Sequence, residues 1–132
     1  MAGLRRRNIE QKVIDLSYAN LDLPKSRFKH FTYVARRNRV INFGVNHDKK
    51  TNPLNHRYGY RWLRLHSEGH AILSFPYDKR ELPEYDFYNV RIYRGEVLMS
   101  RPCDFCAALL ISHGIKTLFY TNSDGEFERW TA

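Results

Sequence analysis

Two hydrophobic periods alternate along the chain. Between Arg5 and Asn20, Leu4, Ile9, Val13, Ile14 and Leu16 make an imperfect stripe at spacings of three and four, which predicts an amphipathic helix. Asn20 serves as its stop, and Pro24 lies beyond. From Phe28 to Val45 the period drops to two. Phe31, Tyr33 and Ala35 alternate with Thr32, Val34 and Arg36, then Arg37-Asn38 has the look of a tight turn, and a second strand follows over Arg39 to Asn46. This is a β-hairpin, rich in the β-branched and aromatic residues that sheets favour. Residues 47–61 are polar and irregular, and a loop of that length usually has a job.

The pattern then becomes helical from His66 to Phe75, with Ala71, Ile72 and Phe75 as its buried face, and Pro76 ends it. Residues 77–85 read as a polar connection. A third strand covers Phe87 to Arg94, Gly95-Glu96 turns, and Val97-Leu98-Met99 leads into a third helix over Cys103 to His113, capped by Gly114. Strands four and five are Lys116 to Thr121 and Glu126 to Trp130, separated by the turn sequence Asn122-Ser123-Asp124-Gly125. A four-residue connection cannot make a parallel crossover, so these last two strands must be antiparallel. The order α-β-β-α-β-α-β-β predicts an α/β sandwich of two or three layers with a five-stranded mixed sheet.

Length and composition narrow this little. At 132 residues the chain is expected to be one domain over residues 1–132 with a single substantial core. No apolar run approaches membrane-spanning length, and the basic start, Met1 to Arg7, lacks the apolar region of a signal peptide. The net charge of +8 favours phosphorylated or polyanionic partners, single-stranded nucleic acid included. Apolar and aromatic positions such as Phe105, Leu109, Phe119 and Trp130, in so small a protein, suggest a homo-oligomer.

The chemistry concentrates in two places. His66-Ser67-Glu68 offers an imidazole and, two residues on, a carboxylate. Pro102-Cys103-Asp104-Phe105-Cys106 offers two thiols three residues apart, and these are the only cysteines. Cysteines committed to a metal imply a reducing compartment, hence cytoplasm. His66, Cys103 and Cys106 form a three-ligand set suited to Zn2+, leaving one tetrahedral position for water. Bound zinc lowers the pKa of that water and makes hydroxide available, and Glu68 is placed to shuttle its proton. Two other readings stay open: a redox pair, and a closed structural zinc site completed by His70 or His113. In the polar loop, Tyr58, Tyr60 and Trp62 could stack a base or wall a pocket; for Trp62, packing onto the core is the favoured reading.

The pattern H-x-E … P-C-x-x-C is that of zinc nucleobase deaminases, and the chain resembles the cytidine deaminase superfamily over nearly its whole length. The resemblance implies a cytidine deaminase-like three-layer sandwich. It implies hydrolytic deamination of a cytosine base in a nucleoside or nucleotide, with Glu68 as proton shuttle and His66, Cys103 and Cys106 on zinc. Asn46, in Gly44-Val45-Asn46, resembles the family's strand-end asparagine that contacts the substrate's sugar. Ser67, which stands where the family usually has alanine, Pro102 and Tyr60 are further substrate-binding candidates. The antiparallel last strands resemble those of free-nucleoside deaminases, which shifts weight away from adenosine and tRNA. Cytosine in single-stranded DNA or RNA is the alternative substrate. The stretches 47–68, 90–106 and 114–121 look most like small bacteriophage-encoded deaminase-like proteins, for which the compartment would be the host cytoplasm.

Overall fold

The computed structural model describes residues 2–48 and 65–132, with side chains from Asn8 onward. Among these residues, three α-helices surround a six-stranded sheet. They are α1 (Ala2–Ala19), α2 (Ser67–Leu73) and α3 (Asp104–Ser112). The strands are β1 (Lys29–Arg36), β2 (Arg39–Val45), β3 (Asp86–Tyr93), β4 (Glu96–Leu98), β5 (Thr117–Thr121) and β6 (Phe127–Thr131). The sheet runs β2-β1-β3-β5-β6, with β4 paired to β3. Each pairing of these strands is antiparallel except β3 with β5, the pair that α3 crosses over to connect. Among the described residues no helix is long and apolar enough to cross a membrane.

The period-two alternation divides the core. Phe31, Tyr33 and Ala35 of β1, with Tyr88, Val90 and Ile92 of β3, face Ile9 and Val13 of α1. The intervening Val34 and Phe87 face the other way, where Ala71, Ile72, Leu109 and Leu110 of α2 and α3 cover Leu118 and Trp130. The sheet is therefore the middle of three layers, as expected. Leu109 and Trp130, expected among the faces left for a partner chain, are instead buried in this core.

The sheet has six strands, not five. Arg94 and Gly95 both take positive φ (51° and 78°), so the chain reverses at once and Val97 pairs with Ile92. Such a two-residue loop needs positive φ at both positions, which Asn-Gly signals more openly than Arg-Gly. The β1–β2 hairpin turns in the same way at Arg37 and Asn38. Residues 79–84 of the supposed polar connection form a 3-10 turn, capped by the Asp78 carboxylate accepting from Arg80 N at 2.9 Å. The α3 helix ends as predicted. Gly114 (φ 77°) donates to Ile111 O at 2.9 Å and Ile115 N to Leu110 O at 3.0 Å, a Schellman pair. Thr121 pairs antiparallel with Phe127, and Asn122 Oδ1 in the turn between them accepts from Asp124 N and Glu126 N.

One glycine decides where α2 sits. A Cβ at Gly44 of β2 would collide with Ala71 N and Ser67 O, so only glycine lets this helix lie directly on the strand. We expect Gly44→Ala to cost about 1–3 kcal/mol through overpacking and, because α2 follows His66, to weaken metal retention as well. Thermal melting and zinc content measure the two effects. Unchanged values for both would show that the helix can shift freely.

Candidate metal centre and cavity

Two short helices begin at the same point in space. His66 precedes α2 in an extended conformation (φ −82°, ψ 150°), and Cys103 precedes α3 likewise (φ −70°, ψ 169°). Each approach is pinned to the sheet. Leu65 exchanges backbone hydrogen bonds with His47 just beyond β2, at 2.9 and 3.0 Å. Ser100 N donates to Thr121 O at 2.8 Å, and Ser100 Oγ donates to Asn89 O, also at 2.8 Å. The ends of β2 and β5 and the middle of β3 thus anchor the approaches to both candidate ligand-bearing segments.

His66, Cys103 and Cys106 bring their ligand atoms within 4.8 Å of one another. His66 Nδ1 lies 3.7 Å from Cys103 Sγ and 3.2 Å from Cys106 Sγ. Ligands of a tetrahedral zinc, at about 2.3 Å for sulfur and 2.0 Å for nitrogen, stand roughly 3.5 Å apart, so the three residues fit the ion. His70 and His113, the possible fourth ligands of a closed structural site, are not in this group. His70 Nδ1 accepts from Val45 N at 2.9 Å, and His113 caps the far end of α3. Among the described residues the set that could hold a metal ion is these three.

The thiols differ. Cys103, hydrogen-bonded by Cys106 and His66 at the start of α3, has its pKa lowered to about 4. Cys106 is buried beside that thiolate, and its pKa is pushed well up.

Glu68 sits in the first turn of α2, 4 % exposed. Burial raises its pKa, and the nearby Asn89 and His66 oppose that shift. Both carboxylate oxygens are held. Asn89 Nδ2 donates to Oε2 at 3.0 Å and Ser67 Oγ to Oε1 at 3.2 Å. Asn89 is itself oriented, since its amide oxygen accepts from Thr32 Oγ1 at 2.6 Å and its amide nitrogen also donates to Ser100 O at 3.1 Å. Thr32 Oγ1 is 2.8 Å from Ser67 Oγ. This network of buried polar residues spans β1, β3 and α2, and it fixes the carboxylate in one place.

Glu68 opens onto a cavity of about 310 Å³. His66, Ser67 and Cys103 line it beside Glu68; Phe28, His30 and Arg91 come from the ends of β1 and β3, and Asn46, Asp48 and Arg101 from the segments after β2 and before α3. His30 is held neutral, its pKa lowered to about 3 by burial and then by Arg91 and His66. Asn46 lines the cavity, and its side chain is already engaged: Nδ2 donates to Phe28 O and Oδ1 accepts from His30 N, both at 2.9 Å. Ser67 lines it too, with its hydroxyl turned to Glu68. Pro102 is buried just before Cys103 and is not among the lining residues. Tyr60, with Tyr58 and Trp62, lies outside the described residues. Sequence reasoning missed Thr32, His30, Asn89 and Arg91. Their signal was a polar side chain at every second position of otherwise apolar strands.

No protein-family model matches the chain, and no curated protein matches its sequence. Solved structures do match. A cytidine deaminase from Burkholderia pseudomallei superposes with a TM-score of 0.60 at 20% identity, covering 92% of this chain and 91% of that one. The dCMP deaminase of the cyanophage S-TIM5 superposes with a TM-score of 0.58 at 16% identity, both in apo form and in complex with dCMP and dUMP. It covers 87% of this chain and 83% of the apo neighbour. The chain has the cytidine deaminase fold.

Proposed function

We propose that the protein hydrolyses the amino group of a cytosine base, as a nucleoside or nucleotide, to give uracil and ammonia. The observation that carries this reading is a buried carboxylate, gripped at both oxygens, in the same small cavity as His66 and Cys103 of a three-residue set that fits zinc. Zinc, when bound by His66, Cys103 and Cys106, supplies a water of lowered pKa. The remaining work falls to the chain's own groups. Glu68 takes the proton of the attacking water at a carboxylate oxygen. It passes that proton to N3 of the ring, and the next to the departing amino nitrogen. Desolvation makes Glu68 a stronger base than a surface carboxylate, as this transfer needs. Asn89 and Ser67 stop it from rotating away between transfers. The cytosine-type neighbours support the choice of base.

Incubating zinc-loaded protein with cytidine, deoxycytidine, their monophosphates, adenosine and single-stranded oligonucleotides tests the reading. The expected outcome is replacement of the amino group by oxygen, read by mass, on a cytosine substrate and not on adenosine. No conversion of any cytosine would overturn it.

A further inference from the structure

We infer that the outer part of this cavity is a phosphate subsite built on Arg91 and Arg101, so that the substrate is a cytosine 5′-monophosphate and not the free nucleoside. The inference deepens the deaminase reading and rests on it. Its starting point is a donor without an acceptor: Arg91 Nε is buried and has no hydrogen-bond partner. An unmet buried donor is costly, the more so in a charged group, and each such group calls for an explanation. Here the explanation is positional. Arg91 lines the same cavity as Glu68 and His66.

The strand register sets the depth. Thr32 pairs with Asn89 at the level of Glu68, and the next residues on that face, His30 and Arg91, pair with each other. Two residues along a strand is about 6.6 Å, so Arg91 stands one layer outside the carboxylate. A pyrimidine ring bound with its amino group at Glu68 and lying along β1 and β3 would bring its 5′ substituent into that layer.

The guanidinium is also held in place. Its Cζ lies 4.5 Å from the centroid of the Phe28 ring, and Phe28 stacks on Tyr93 at 4.5 Å. One face is covered by an aromatic ring, which leaves the in-plane donors for a ligand. A planar fork of N–H groups matches the spacing of phosphate oxygens. Arg101, exposed and two residues before Cys103, brings a second guanidinium to the same cavity. The acids that share the cavity are Glu68, whose oxygens are both engaged, and Asp48. A cavity of this size suits a mononucleotide.

Calorimetry on the zinc-loaded protein tests the subsite with dUMP and deoxyuridine, which cannot turn over. The expected result is dUMP binding roughly 10- to 100-fold tighter than deoxyuridine, inorganic phosphate competing with dUMP, and a dUMP-to-deoxyuridine ratio falling to near one in Arg91→Gln. Arg91→Lys, which keeps charge but not the fork, should give an intermediate ratio and serves if the glutamine variant fails to fold. Equal affinities in the parent protein, or a ratio unaltered in both folded variants, would overturn the subsite. So would tighter binding of an oligonucleotide with an internal uracil than of dUMP. Parallel mass assays on the cytosine panel separate the two ideas: strong dUMP binding without conversion of dCMP or any other cytosine substrate sinks the deaminase reading alone.

Discussion

Glu68→Gln should lower turnover by roughly two to four orders of magnitude while zinc stays bound. Glutamine matches glutamate in size but neither accepts nor delivers a proton at neutral pH. The surroundings should admit it. Its amide oxygen can take the hydrogen bond from Asn89 Nδ2, and its amide nitrogen can donate to Ser67 Oγ, whose hydroxyl is free to rotate. Folding should not suffer. Burial is the largest influence on the Glu68 pKa, so the charge is costly in place, and a neutral amide relieves that cost. The melting temperature should therefore hold or rise as activity collapses. Near-normal turnover in a folded, zinc-replete variant would mean that Glu68 carries no proton.

Cys103→Ala should release the metal and, with it, several kcal/mol of stability. The three candidate ligands come from the beginnings of two separate helices, so an ion held by them would cross-link segments 37 residues apart in sequence. The apolar layer beneath them holds without it, since Ile72, Leu109 and Leu110 are fully buried. What the metal adds is the free energy of binding a ligand that the unfolded chain cannot organise. The loss should be local first. Amide exchange should accelerate in the first turns of α2 and α3 and stay slow in β1 and β3. Metal analysis showing one zinc per chain in this variant would remove Cys103 from the ligand set.

The clustering of the candidate ligands His66, Cys103 and Cys106 was legible in the sequence because helical geometry compresses it: a cysteine at a helix cap and another three residues on must share one end of that helix. Glu68 was legible for the same reason, in the first turn of α2. The strands showed themselves through Phe31, Tyr33, Val34 and their alternation. What stayed hidden depends on register. Nothing local says that Thr32 lies opposite Asn89, or His30 opposite Arg91. Asn89 in Tyr88-Asn89-Val90-Arg91-Ile92 could have been noticed as a buried polar position in an apolar strand, but its partner is a helix 21 residues upstream. The β4 strand was missed because three residues carry too little pattern, and Leu109 and Trp130 were misjudged because burial belongs to the assembled layers.

The division of the core into two faces has a consequence for how this chain would respond to random mutation. Among the described residues, the layer between α1 and the sheet is apolar apart from the hydroxyls of Ser17, Tyr33 and Tyr88, the first two of which meet at 2.9 Å. Its constraint is volume, so Ile9, Val13, Val90 and Ile92 should exchange with other aliphatic residues at modest cost. The opposite layer binds Thr32, Ser67, Glu68, Asn89 and Ser100 by hydrogen bonds that specify atoms. There a replacement of equal size but different polarity leaves a buried partner stranded. A saturation library would divide along the plane of the sheet, permissive on the side of α1 and intolerant on the side of α2 and α3, and directed evolution of altered substrate preference has most room at the rim between them.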